Sequence, residues 1–316
     1  MGLSVVTATC LALVQGELPE GTSWQWVSVN SEERRYLVHV PAESGEGDSR
    51  PVILCFHGGG SNPEQMMGYC GLNEEADEEG FLVVYPEGSG RLEAVRTWNA
   101  GNCCGYAQRR KVDDVAFVRA LLDDLQERAD IDPDRVFATG ISNGAMISYR
   151  LASELSDRIA AIAPIAGPMG FEECSPEHPV SVIHFHGTDD EFAAFGGGPG
   201  KRSVSRTDFY SVRHTIDAWV AANQCDPEPV TAELPDRADD GMTVRSEIYS
   251  SRESGAEVAL YVIEGGGHTW PGRIPRASRF LGPSTRDISA NDLMWAFFQR
   301  HPRQTSESSG GRGQRR

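Results

Sequence analysis

Gly140-Ile141-Ser142-Asn143-Gly144 is the segment whose residue types and spacing most directly permit chemistry. It lies between an apolar run, RVFATG (135–140), and a stretch of helical character from Ala145 to Leu155. A strand that turns sharply into a helix lifts the serine above the sheet, and the flanking glycines make that turn sterically possible. The helix that follows would aim its free N–H groups at developing negative charge. The bland alternative is a glycine-rich turn with an incidental serine; the strand before it and the helix after it argue against that.

A serine hydroxyl needs a base to take its proton and a carboxylate to hold that base. With the serine on such a turn, the chain order expected is serine, acid, histidine. His186-Gly187-Thr188-Asp189-Asp190 follows the apolar run VSVIHF, and Gly265-Gly266-Gly267-His268 follows ALYVIE. Ser142 is therefore expected as nucleophile and His268 as base, with Asp189 or Asp190 as the acid. The other histidines fit less well. His39 and His57 precede the serine, His178 and His184 come too early, His214 lies mid-helix and His301 sits in the C-terminal region. His186 precedes the acid and is expected to brace its loop. His184 and His186 form an H-x-H pair that could bind a metal, but no third ligand stands at suitable spacing, so no metal site is expected. The oxyanion hole needs two backbone N–H groups. Asn143 should supply one and the His57-Gly58-Gly59-Gly60 loop, at Gly59, the other.

Alternating strands and helices are needed to hold these segments. Residues 24–40 read as two strands around a polar turn at Asn30 to Glu33. PVILCF (51–56), FLVVYP (81–86), RVFATG, IAAIAPIAG (159–167), VSVIHFHG (180–187) and VALYVIEGGG (258–267) read as strands, most of them continuously apolar. Such runs suit strands covered on both faces. Residues 73–79, Val112 to Arg128, Ala145 to Leu155, 206–223 and Asn291 to Gln299 read as helices. The pattern predicts a mostly parallel central sheet flanked by helices.

The 316 residues allow one such domain, expected over 17–302, with a signal or a disordered leader at 1–16 and a disordered polar tail at 303–316. The apolar leader lacks a basic residue before it but suggests a secreted or extracellular protein. No run is long and apolar enough for a membrane span. The net charge of −17 argues against nucleic-acid partners. Of the seven cysteines, Cys55 lies in an apolar strand and is expected as a buried thiol; the spacings of the set match no zinc pattern.

Taken together, the HGGG loop, WNAGNCCG (98–105), VDDVAF (112–117), GISNGAM (140–146), HGTDD (186–190) and GGGHTWPG (265–272) resemble the poly(3-hydroxybutyrate) depolymerase and feruloyl esterase family over roughly residues 30–300. The resemblance implies an α/β-hydrolase fold and a serine esterase acting through an acyl-enzyme without a cofactor. Its substrates would be polyester oligomers or hydroxycinnamoyl esters. It selects Asp190 over Asp189 through the family pattern G-T-x-D. It also suggests Trp98 and Trp270 as aromatic walls of a substrate pocket, with core packing as the equal alternative. The stretch Glu191-Phe192-Ala193-Ala194-Phe195 departs from the family pattern and suggests a mobile loop. Cys103-Cys104 and Cys225 both recur in the family, which implies a disulfide pinning the Trp98 loop beside the helix at 206–223. Acetyl-xylan esterase specificity, or a non-catalytic carbohydrate- or polyester-binding homologue, are the rival expectations.

Overall fold

The computed structural model describes residues 16–42, 49–274 and 278–304. The expected leader, Gly16 aside, and the tail beyond Gln304 lie outside the described residues. The first two tail residues are held in place: Arg303 pairs with Asp134, and the Gln304 amide donates to the Ser254 carbonyl.

β1 (Gly21–Val29) and β2 (Glu32–Val40) form a hairpin whose turn residues, Asn30 and Ser31, both take positive φ. β3 (Arg50–Phe56), α1 (Pro63–Cys70), α2 (Leu72–Glu79) and β4 (Leu82–Pro86) make the first crossover unit. A short ribbon, β5 (Ser89–Leu92) with β6 (Val95–Thr97), precedes α3 (Gly105–Arg110) and α4 (Asp114–Arg128). β7 (Ile131–Ile141), α5 (Asn143–Glu154), β8 (Ala161–Ile165) and β9 (Ser181–Gly187) follow. A second ribbon, β10 (Gly198–Pro199) with β11 (Asp208–Phe209), leads to α6 (Val212–Ala222). β12 (Val230–Glu233), β13 (Thr243–Ser250), β14 (Glu257–Glu264), α7 (Ser278–Leu281) and α8 (Ala290–Arg300) complete the described elements.

Ten strands form one sheet in the order β1-β2-β4-β3-β7-β8-β9-β14-β13-β12. The six central strands run parallel, and the strands at both ends are antiparallel. Alternate side chains of β3 show how the two faces are covered. Val52, Leu54 and Phe56 face Phe117 of α4, Ile147 of α5 and Trp219 of α6. Ile53 and Cys55 face Met66 of α1, Ala76 of α2 and Phe298 of α8. This explains why β4, β8 and β9 are buried at every position and why β4 and β8 read as unbroken apolar runs. The architecture is that of an α/β-hydrolase. No helix among the described residues is long and apolar enough to cross a membrane.

Two helices start later than expected. The helix expected from residue 206 begins at Val212, because Ser211 caps it by accepting from the His214 N–H, and Asp208–Phe209 is already paired in the second ribbon. The helix expected from Val112 begins at Asp114, with the Asp113 carboxylate capping the Ala116 N–H.

Candidate active site

Ser142 sits at the junction of β7 and α5, with φ 59° and ψ −123°. That backbone is strained for a residue with a side chain and is typical of a serine raised on a tight turn. Its N–H is fixed on the Ile165 carbonyl at 2.9 Å, and its carbonyl accepts from Met146 at 3.0 Å. The glycines on either side are required by packing. A Cβ at Gly144 would lie 2.1 Å from the Phe56 carbonyl oxygen, and one at Gly140 would lie 2.5 Å from the same atom. The end of β3 therefore presses against the turn, and any side chain there would push the serine out of place.

His268 follows β14 on a loop tied to the segment after α7. Its N–H donates to Leu281 at 2.7 Å and that of Gly267 to Pro283 at 2.9 Å. The imidazole Nδ1 lies 2.7 Å from Asp190 Oδ2, and both side chains are buried. Asp189 is exposed and has no part in this pair. The other oxygen of Asp190 accepts from the Phe192 and Ala193 N–H groups at 2.7 and 2.9 Å. Burial alone would raise the Asp190 carboxyl. The charge of His268 and hydrogen bonds from His186 and His268 outweigh it and hold the group well below the usual carboxylate range.

Behind Asp190 runs a directed hydrogen-bond chain. His186 Nε2 lies 2.7 Å from the Ala193 carbonyl, and a carbonyl can only accept. His186 therefore carries its proton on Nε2, which also approaches Asp190 at 3.4 Å. Its Nδ1 must accept from His184 Nε2 at 3.0 Å, and His184 Nδ1 must accept from the Tyr149 hydroxyl at 2.8 Å. Burial, reinforced by the neighbouring His186, pushes the His184 pKa well down, in keeping with a neutral ring. Both His184 nitrogens and both His186 nitrogens are thus engaged by protein groups. The loop from Glu191 to Phe195, expected as mobile, is bound along its length. Phe192 and Ala193 donate to Asp190, Val212 donates to Phe195, and Arg202 donates to Glu191. Phe192 packs on His268 with ring centres 5.0 Å apart.

The HGGG loop is fixed in a similar way. His57 Nε2 accepts from the Gly88 N–H at 3.1 Å, so its Nδ1 carries the proton and donates to the Gly58 carbonyl at 2.8 Å. Burial pushes the His57 pKa down to about 4. As the first residue of α5, Asn143 has no intrahelical acceptor for its N–H. Its side chain is clamped on Trp98, accepting from the backbone N–H at 2.7 Å and donating to the carbonyl at 3.2 Å. Gly59 packs against the Asn143 side chain, so that the two backbones converge.

Ser142, His268, Gly59 and Asn143 all line one cavity of about 850 Å³. Trp98 and Trp270 do not. Both are completely buried and stand behind the wall instead of in it, which favours core packing over the pocket-wall reading. The Trp98 indole N–H donates to the His57 carbonyl at 3.0 Å, tying the two loops that meet at Gly59 and Asn143. The Trp270 indole N–H donates to Asn291 of α8 at 2.8 Å and its backbone N–H to the Tyr69 hydroxyl at 3.0 Å, anchoring the His268 loop.

The cysteine expectation is also corrected. Cys225, like Cys55, Cys70 and Cys174, is a free thiol and so makes no bond to Cys103 or Cys104. Cys225 rests against the Ala256 carbonyl, just before β14 begins, whereas Cys103 and Cys104 line the cavity beyond the other end of that strand. A sheet's length separates them. Asp114, which the sequence offers only as an acidic residue at a helix start, does more than that. It is buried, pairs with Arg34 at 3.0 Å and accepts from the Asn99 N–H at 2.8 Å, securing the segment that carries Trp98. The doubled aspartate of VDDVAF was its only signal, and it reads as a simple helix start.

A family profile described as Esterase PHB depolymerase matches residues 35–229. A protein from Nocardia uniformis subsp. tsuyamanensis that bears the name esterase NocK is 31% identical over 86% of this chain and 80% of its own. Feruloyl esterase B of Piromyces equi is 27% identical over 74% of this chain, but the match spans only 42% of that larger protein. Among solved structures, the acetyl xylan esterase from Aspergillus awamori superposes with a TM-score of 0.58 over 87% of this chain and 99% of its own, at 15% identity. That last likeness concerns the fold alone.

Proposed function

The chain belongs to the PHB depolymerase family of esterases, and from that premise we propose that it hydrolyses carboxylic esters with Ser142 as nucleophile, His268 as base and Asp190 as the orienting acid. The observation that carries this reading is the convergence of Ser142, His268, Gly59 and Asn143 on one cavity, with His268 held by the buried Asp190 at 2.7 Å.

His268 takes the Ser142 proton as the hydroxyl attacks the ester carbonyl. The Gly59 and Asn143 N–H groups bind the oxyanion, and His268 returns the proton to the leaving alcohol. Water then attacks the acyl-enzyme by the same route. Asp190 keeps the imidazole proton on Nδ1, so that Nε2 is free to act as base. No step calls for a metal or an organic cofactor.

The acyl groups that suit the cavity are larger than acetyl. Its walls include Met66, Tyr69, Met146, Phe192 and Phe209, which offer apolar contact to a hydroxyalkanoyl chain or a hydroxycinnamoyl ring. The test is turnover of p-nitrophenyl acetate, p-nitrophenyl butyrate, methyl ferulate and a hydroxybutyrate oligomer, with Ser142→Ala as control. Serine-dependent hydrolysis supports the reading, and the best substrate ranks the acyl classes. Folded wild-type protein inert on the whole panel would instead favour a binding role.

A further inference from the structure

The chain carries 29 Lys and Arg against 46 Asp and Glu, so an average patch of its surface is acidic. The mouth of the Ser142 cavity reverses that balance. Arg91, Arg109 and Arg110 line it, and no aspartate or glutamate does. All three are exposed, and none has a carboxylate partner among the described residues. Nearby arginines behave differently: Arg96 pairs with Glu87, and Arg202 with Glu191. The unpaired three come from two elements, Arg91 from β5 and the other two from the last turn of α3.

The same rim is apolar. Seven large apolar side chains stay exposed among the described residues, and four of them, Leu92, Val95, Val204 and Phe280, line this one cavity. A patch of that kind beside a reactive serine marks a surface meant to be covered by a ligand. Guanidinium groups are weakly hydrated and bind carboxylates through paired N–H donors, so an apolar rim set with free arginines matches an amphiphile with an anionic end.

We infer that this cavity selects esters that also carry a free carboxylate away from the scissile bond, with Arg91, Arg109 and Arg110 reading the carboxylate while the apolar rim takes the chain beside it. The substrate class this describes is the short hydroxyalkanoate oligomer acid, whose apolar repeat ends in a carboxylate. The inference rests on the ester-hydrolase reading and narrows it. Esters borne on neutral sugars lack the anion, and a uronic acid ester has the anion without the apolar chain.

The experiment compares kcat/KM for a hydroxybutyrate trimer as the free acid and as its methyl ester. Wild-type protein, Arg91→Gln and Arg109→Gln/Arg110→Gln are each tested at low salt and at about 0.5 M salt. Exposed charge pairs each contribute modestly, so the wild type should favour the acid by about tenfold at low salt. High salt should erode the preference. Either variant should lower it through KM more than kcat, because the contact is remote from the reacting atoms. Arg109→Lys/Arg110→Lys should restore part of it. A glucuronate ester set against the matching glucose ester separates the sources of carboxylate: a smaller preference there supports the oligomer acid, and an equal or larger one overturns that assignment. Wild type that treats acid and methyl ester alike overturns the inference outright. Calorimetric binding of both trimers to Ser142→Ala repeats the comparison without turnover. Tighter binding of the acid to that variant would uphold the inference even if the wild type hydrolysed nothing, whereas hydrolysis without preference would overturn this inference and leave the esterase reading intact.

Discussion

Behind Ser142 and in front of it the protein solves opposite problems. Behind, the polar groups are buried and each has a partner: Asp190 accepts from two backbone N–H groups as well as His268, and Tyr149, His184 and His186 form a chain in which each proton is assigned. Among the described residues, buried side-chain atoms without a partner occur on His214, Trp219 and Arg303, and of these only Trp219 touches the chain, through its ring against Tyr149. In front, Leu92, Val95, Val204 and Phe280 stand exposed, and Arg91, Arg109 and Arg110 have no carboxylate partner among the described residues. The rear is built for one geometry. The mouth is left incomplete until something fills it. Catalytic rate should therefore respond to changes behind the serine, and substrate preference to changes before it.

The sharpest way to break this contrast is at Asp190. Replacing it with Asn keeps the shape but removes the charge that holds the His268 tautomer, so kcat on p-nitrophenyl butyrate should fall by about 10³–10⁴. A loss under tenfold would mean that some other group orients the histidine. His186→Phe tests the rear one step farther back. It deletes the donor to Ala193 and Asp190, and leaving such groups unpaired costs about 1–3 kcal/mol. Turnover should drop by about ten- to a hundredfold, in kcat more than KM, measured on the same ester. An unchanged kcat would reduce the histidine chain to core packing.

Acid should undo the rear by another route. His57 has its folded pKa lowered to about 4 by burial, against an unfolded value near 6.5. A depressed pKa means that its contribution is fully present above about pH 6.5 and is lost as the pH falls toward 4. The loss from this residue is at most about 3 kcal/mol, read from urea denaturation midpoints across that range. His57→Asn should start less stable but show a shallower decline. Asp190, also depressed, should matter only at still lower pH.

The smallest effects belong to the mouth. Phe280→Ala and Leu92→Ala should leave unfolding free energy within about 0.5 kcal/mol of wild type, as expected for exposed positions. Their KM should rise a few-fold (~3) for hydroxybutyrate oligomers, with little change for p-nitrophenyl acetate, if each buries part of its apolar area on the chain. Loss of folding stability in either variant would place it in the rear class.

The sequence made the parallel strands and the segments carrying Ser142, Asp190 and His268 legible, because each depends on local pattern: an apolar run, a turn, a polar residue just past it. What it concealed depends on partners distant in the chain. TVRSEIYS (243–250) forms β13 by pairing between β14 and β12, and its alternation of polar and apolar residues is too weak to stand out unaided. Trp98 and Trp270 looked like pocket walls because they neighbour site motifs, but their indoles are consumed by His57 and Asn291, 41 and 21 positions away. The expected disulfide fails because recurrence of cysteines in a family says nothing of which end of a sheet each occupies.

The backbone at Ser142 also has a meaning for how such a protein could evolve. With φ at 59° and ψ at −123°, the position would be occupied more comfortably by glycine, at a gain of about 1–3 kcal/mol. Stability and activity are thus set against each other at a single codon. Selection for robustness alone, in a laboratory library or under relaxed demand for the reaction, would favour glycine there and give a sturdier protein without the proposed nucleophile.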